Sequence, residues 1–261
     1  MRIATWNVNS VRARLERVLA YLRDRDIDVL AMQETKVAAG AFPRAPFEAA
    51  GYQVAAIGTN QWNGVAILSR IGLDDAASSF PGQPGFGDPP AVEARALGAT
   101  CGDVRVWSLY VPHGRAADHP HMAYKLRWLD ALAGEARRWL ADQPDARIGL
   151  LGDWNVAPLD SDVWDAAHFE GVTHVSPAER AGFAAFADAG YREVTREFIP
   201  DHGAYTQWDY QAGHWPRNQG MRIDFAYCSP ALADAVKSVQ IVRTERAGKG
   251  ASDHVPVELD L

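Results

Sequence analysis

The sequence predicts a layered α/β sandwich with mixed or antiparallel sheets. Short apolar runs of strand character recur from one end of the chain to the other. Amphipathic stretches at helical spacing lie among them. Strands and helices do not alternate strictly, and several strand signals follow one another directly, which argues against a doubly wound parallel sheet.

The elements follow in order. Arg2–Val8 reads as the first strand. Val11, Leu15, Val18, Leu19 and Leu22 then recur at helical spacing, with Asn9 or Ser10 placed to cap the helix. Ile27–Met32 is a second strand, and Gly64–Leu68, Val92–Ala99 and Val104–Val111 are three more. Met122, Leu126, Leu129, Ala133, Ala136 and Leu140 mark a long helix, and Arg147–Leu151 is the strand that follows it. Ser176-Pro177-Ala178-Glu179 is a capping box with proline at the first helical position. Arg222–Cys228, Ser238–Arg243 and Val255–Leu261 complete the strands. The Pro/Gly-rich stretch Ser79–Pro90 reads as a surface loop, and no linker, repeat or low-complexity tract divides the chain. The reading is one domain over residues 1–261.

Bulk properties set limits on function. Hydrophobic residues make up 48% and charged residues 23%, ordinary values for a soluble globular protein. No run approaches the ~18 apolar residues of a membrane span. The start, Met1 to Trp6, lacks the long apolar region of a signal peptide. Only Cys101 and Cys228 are present, so no disulfide framework is expected, and the reading is a reduced, cytoplasmic protein. The net charge of −7 opposes nucleic-acid binding by the molecule as a whole, but not by a local basic face.

Polar residues end apolar strands with unusual regularity. Asn7 ends the first, Gln33-Glu34 the second, and Tyr110 closes Val106-Trp107-Ser108-Leu109. In "GDWNV", Asp153 and Asn155 flank Trp154 at the end of another. In an extended chain, residues two apart share a face, so Asp153 and Asn155 are expected to aim at one phosphate, with Trp154 turned into packing between layers. Asp224 sits inside "RIDFAYC", and Asp253-His254 precedes "VPVEL". Each residue alone reads as a turn former, a solvated strand end or a half-buried aromatic. Together they suit phosphoester hydrolysis: clustered carboxylates need a cation or a histidine to stay ionised. Hard oxygen ligands such as Glu34 favour Mg²⁺ or Mn²⁺ over zinc. HExxH, GxxxxGK[ST] and GxSxG are all absent, which leaves water as the nucleophile.

Taken in order, "TWNVNSVRAR", "LAMQETK", "NGVAILS", "SLYVPHGR", "LLGDWNVAP", "YTQWDY", "GMRIDF" and "SDHVPV" closely resemble the exonuclease III family of DNA repair nucleases, within the DNase I-like endonuclease/exonuclease/phosphatase superfamily. The segments span residues 5 to 257, and their style is that of an actinobacterial-type member. The resemblance implies a four-layer α/β sandwich of two stacked mixed sheets flanked by helices, with the site at one end of the sheets. It implies Mg²⁺-dependent 3′→5′ removal of nucleotides from duplex DNA (Mn²⁺ also serving), incision at abasic sites and removal of 3′ phosphate-type blocks, by a monomer. By the same resemblance Glu34 is the principal metal ligand with Asn7 nearby, and Asp153, Asn155 and His254 border the metal. Asp253 supplies a second metal position. Asp153 orients the attacking water, and Asn155 and Asn7 fix the phosphate or the water. His254 hydrogen-bonds the scissile phosphate, Asp224 holds the tautomer of His254, and Tyr110 donates to the phosphate or the departing oxygen. Two departures are recorded: Glu193 in "GYREV", where the family more often has Asp, and the glycine-rich, mobile-looking loop "ERAGKGASDH".

An acidic protein holds DNA through local cations. Lys36, Arg115 and Arg217 lie in loops beside site residues, where phosphate contact is expected. Arg14 and Arg17 read as a solvated helix face, and Arg12, Arg44 and Arg222 add to local basic stretches. "QWDYQAGHWPRNQG" interleaves aromatics with Arg217, and Trp208 is read as a stacking or wedging residue, with a packing role as the alternative. Two other classes compete with the nuclease reading: a phosphatase or phosphodiesterase for a small molecule or lipid, and a catalytically silent DNA-binding module.

Overall fold

A computed structural model describes all residues, 1–261. The strands are β1 (Arg2–Asn7), β2 (Val29–Gln33), β3 (Gln53–Ile57), β4 (Val65–Ser69), β5 (Asp74–Ala77), β6 (Ala96–Cys101), β7 (Val104–Tyr110), β8 (Ile148–Asp153), β9 (Arg192–Glu193), β10 (Asp224–Cys228), β11 (Ser238–Ile241) and β12 (Val257–Asp260). The α-helices are α1 (Val11–Asp24), α2 (Arg44–Ala49), α3 (Pro120–Asp142), α4 (Pro177–Asp188), α5 (Val194–Phe198) and α6 (Pro230–Ala233). They build two six-stranded mixed sheets, in the orders β11-β12-β1-β2-β4-β3 and β5-β6-β7-β8-β10-β9. Each sheet has one parallel pair, β1 with β2 and β7 with β8, among antiparallel neighbours.

The side-chain period of two sorts the strands into layers. Ile3, Val29, Ala31, Val106, Leu151, Ala226 and Val257 meet between the sheets. Ala4, Trp6, Leu30 and Met32 face outward onto Val18, Tyr21 and Leu22 of α1 and Phe47 of α2. Trp107, Leu150, Phe225 and Tyr227 face outward onto α3 and α4, against Trp128, Leu132, Phe183 and Phe186. The result is the expected four-layer sandwich. No helix is long and apolar enough to cross a membrane.

Helix starts follow the predicted chemistry. Ser10 caps α1, and Ser176 and Glu179 form the capping box of α4. The expected strand Val92–Ala99 begins only at Ala96: Val92 is exposed and Glu93 and Arg95 pair through their side chains, although the Arg95 carbonyl still accepts the Tyr110 N–H of β7. The loop Ser79–Pro90 contains no strand, but it is not wholly superficial, since Phe80 is buried edge-on against Trp128.

Candidate active site

The inner faces of the strands explain where the site lies. Along β1, Ile3, Thr5 and Asn7 share the inter-sheet face; so do Leu151 and Asp153 of β8, Ser108 and Tyr110 of β7, and Ala226 and Asp224 of β10. Apolar or small residues fill that layer until the strand ends, where polar ones replace them. Asn7 pairs in register with Gln33, Tyr110 with Asp153, and Asp153 with Asp224. Just beneath, Gln33 donates to Ser108 Oγ at 3.0 Å, which ties the two sheets together under the site.

Asn7 is the joint between the sheets. Its buried amide nitrogen donates to Glu34 Oε1 at 2.8 Å and to Asp153 Oδ2 at 2.9 Å, while its oxygen accepts the Asn9 N–H. Asn7 is thus the donor that aligns the two carboxylates. Opposite, His254 Nδ1 lies 2.9 Å from Asp224 Oδ2, and its Nε2 is 3.9 Å from Asp153 Oδ2. Asp224 also accepts from Thr206 Oγ1 at 2.6 Å. A carboxylate on Nδ1 fixes the ring so that Nε2 faces the cleft.

The neighbours set the charge states. Burial pushes the Asp153 carboxyl up, with Asp224 and Glu34 adding repulsion that His254 and Asn7 only partly offset, so it stands at about 7. Burial also opposes charge on His254, but the Asp224 charge and hydrogen bond outweigh it and raise the imidazolium to about 10. Burial acts against Glu34 as well, yet Lys36 at 2.8 Å and the Asn7 amide bring it below the ordinary carboxylate range. Burial and the Glu34 charge hold the Tyr110 phenol well above its usual range despite Arg95, 4.8 Å from the ring centre, so it remains a donor.

Glu34, Asp153 and His254 place one ligand atom each within 4.8 Å of one another, a grouping that could hold a metal ion. Two carboxylates aligned by a shared amide are the donor set a hard divalent cation requires. Asp253 lies outside that group; it accepts from Asn9 Nδ2 at 2.9 Å.

Several expectations need correction. β8 ends at Asp153, and Asn155 takes a left-handed backbone, φ 50°, so strand alternation does not align the two. Instead the Asn155 N–H donates to Asp153 Oδ1 at 2.9 Å, and its side-chain amide donates to the Val111 carbonyl. Trp154 does turn outward, against Phe183, Phe186 and Tyr227. Trp208 is fully buried, packs edge-on against Trp215 and donates to Asn218, so it cannot stack on DNA. Arg14 and Arg17 are not a solvated face: they grip carbonyls of Ala251, Glu245 and Ala247, and so tie the glycine-rich loop to α1. Arg222 is buried among the carbonyls of Ile199, Asp201 and Ala204. Arg44 and Arg12 donate to the backbone at Val54 and Ala41.

Lys36 touches the site through Glu34, and Arg115 and Arg217 are exposed. Trp62, missed in the sequence, is 64% exposed on the loop whose Asn63 and Gly64 carbonyls accept from Lys36 and Thr35. A lone tryptophan among turn-forming Asn60, Gln61 and Asn63, directly before an apolar strand, is the signal that marks it.

Residues 4–254 match the Endonuclease/Exonuclease/phosphatase family. An exodeoxyribonuclease of Bacillus subtilis is 30% identical over 265 residues, covering 99% of this chain and 98% of that protein. The 3′ phosphatase NExo from Neisseria, solved with a product DNA hairpin, superposes with a TM-score of 0.94 at 35% identity, over 100% of this chain and 99% of that one. An AP endonuclease from Archaeoglobus fulgidus superposes at 0.92 with 31% identity, over 100% of this chain and 99% of that one.

Proposed function

Because this chain belongs to the endonuclease/exonuclease/phosphatase family and is a hydrolytic nuclease of the exodeoxyribonuclease III type, we propose that it repairs duplex DNA by Mg²⁺-dependent hydrolysis at abasic sites and at 3′ ends, blocked ends included. Mn²⁺ serves as an alternative metal. Incision 5′ of an abasic site, 3′→5′ removal of nucleotides and removal of a 3′ phosphate all break a phosphorus–O3′ bond, so one site performs all three.

The observation that carries the reading is the Asn7 amide bridging Glu34 and Asp153 opposite the Asp224–His254 pair. Glu34 and Asp153 would hold the divalent cation, which neutralises charge on the phosphoryl and leaving oxygens when bound. Asp153 accepts a hydrogen bond from the attacking water and takes its proton as the new phosphorus–oxygen bond forms. Protonated His254, held by Asp224, donates through Nε2 to a phosphate oxygen. Tyr110, kept neutral, donates a hydrogen bond to the phosphate or to the departing O3′, which takes a proton from solvent water as the phosphorus–O3′ bond breaks. Asn155 supports this geometry chiefly through its backbone N–H to Asp153. Lys36, Arg115 and Arg217 supply phosphate contacts along the DNA, and Trp62 takes the stacking role that buried Trp208 cannot.

A duplex carrying one abasic site, incubated with and without Mg²⁺, tests the proposal. The expected product is a nick with a 3′ hydroxyl, formed only with metal. Absence of incision with both Mg²⁺ and Mn²⁺, from neutral to mildly alkaline pH, would refute it.

A further inference from the structure

Behind the Asp153–Asn155 turn lies a buried polar group that the chemistry above does not use. Lys125 of α3 and Glu179 of α4 have no exposed side-chain surface and meet at 2.5 Å. The same ammonium donates to the Asn155 carbonyl at 2.6 Å and to the His113 carbonyl at 3.2 Å. His174 Nδ1 reaches that Asn155 carbonyl too, at 2.7 Å. Glu179 in turn accepts from Thr173 Oγ1 at 2.8 Å, from the His174 N–H at 2.9 Å and from Ser176 Oγ at 2.7 Å.

The connections run to both site loops. Asn155 holds a left-handed backbone that a residue with a side chain rarely adopts. Lys125 and His174 capture its carbonyl on one side, and its N–H donates to Asp153 Oδ1 on the other. His113 follows Tyr110 by three residues along the loop after β7. One ammonium therefore ties the turn after β8 to the loop after β7. An apolar pair of similar volume could fill the same space and fold as well. It could not donate to two loop carbonyls at once.

We propose that the Lys125–Glu179 pair is a positioning device for hydrolysis: it locks the Asn155 backbone, and through it sets the orientation of Asp153 relative to Tyr110. The proposal rests on the reading of Asp153 given above. Neither Lys125 nor Glu179 touches substrate.

The test is the double variant Lys125→Met/Glu179→Gln, which leaves no unpaired buried charge. Single-turnover incision of an abasic duplex should slow roughly 10- to 100-fold, the scale expected for a misplaced reacting group. Binding of the same duplex without metal should stay within about 2-fold, because no phosphate contact is removed. Amide hydrogen exchange across residues 153–157 should quicken. Lys125→Arg keeps the charge and the donors and should recover most of the rate. His174→Phe removes only the second donor to Asn155 and should give a smaller loss of rate.

A folded double variant that incises at the wild-type rate overturns the proposal. If the double variant does not fold, His174→Phe decides: an unchanged rate together with unchanged exchange at 153–157 overturns it, and a slowed rate with quickened exchange supports it. Asn155→Ala separates this inference from the reading beneath it. A slow Asn155→Ala beside a wild-type-like double variant refutes the positioning role alone. A wild-type protein inactive on abasic DNA refutes both.

Discussion

The two sheets contribute the same kind of residue at the same kind of place, yet with opposite acidity. In the first sheet, Glu34 follows β2; in the second, Asp153 ends β8. Both are carboxylates at the end of a strand in the sheet's parallel pair, and both accept from the same Asn7 amide. Glu34 has Lys36 at 2.8 Å and is brought below the ordinary carboxylate range, although burial opposes its charge. Asp153 has no lysine or arginine partner; burial, Asp224 and Glu34 lift it to about 7, with His254 in partial opposition. Strand position thus sets where a carboxylate points, while the charged and polar groups packed around it set its acidity. Without a bound cation, Glu34 stays ionised at neutral pH, whereas the Asp153 carboxyl exchanges its proton there.

The sharpest way to break this comparison is Asp153→Asn. If Asp153 works on the water, single-turnover hydrolysis should fall by about 10³-fold or more, while the protein stays folded and binds abasic duplex. A residual rate within about 10-fold of wild type would move the water to another group. Glu34→Ala should act differently, raising the Mg²⁺ concentration at half-maximal rate by roughly 10- to 100-fold. An unchanged titration would deny Glu34 its place at the metal.

The third prediction uses the acidity difference itself. Without metal, Asp153 binds its proton more tightly in the folded chain than in the unfolded one. Its contribution to stability is fully present below its ordinary value of 3.8 and is lost as pH rises through about 7. A proton there also competes with the cation, so affinity for Mn²⁺ should weaken by up to about 10-fold per pH unit below 7 and level off above it. Calorimetric titration of the DNA-free protein measures this, and Asp153→Asn should flatten the dependence. A wild-type affinity that does not change between pH 5.5 and 7, roughly one and a half units, would contradict the elevated acidity.

The smallest effect concerns two tryptophans. Trp62→Ala should leave unfolding within about 0.5 kcal/mol of wild type and weaken duplex binding about 5-fold. Trp208→Ala should instead cost about 3–5 kcal/mol of stability. Denaturant unfolding and DNA binding, measured on both variants, distinguish the roles. Equal effects on binding at matched stability would restore Trp208 to the DNA interface.

Much of the site was legible because strand alternation is local. Asn7, Tyr110, Asp153 and Asp224 each continue the inner face of an apolar strand, so their gathering follows from period two and from stacking of the sheets. Asn155 broke the pattern because the strand stops at Asp153, and the left-handed turn beyond it is held by Lys125 and His174, distant in sequence. The β3 strand and the short α2 helix escaped because Gln53–Ile57 and Arg44–Ala49 are too short and too mixed for a clear period. Trp208 was misplaced because aromatic content does not reveal which way a loop folds; Trp215 and Asn218 enclose it.

Sequence pattern was enough for the layered α/β class, the caps of α1 and α4, and the set of polar residues that end inward-facing strands, since each of these depends on neighbours within a few positions. Stacking of the sheets settles the rest: the Asp153 carboxyl is raised by burial and by Asp224 and Glu34, Arg14, Arg17 and Arg222 donate to backbone carbonyls, and Trp208 is enclosed while Trp62 is exposed. Exposure and the acidity of Asp153 are set by burial and by charges brought from distant segments, and the distance between those segments exists only once the sheets have stacked.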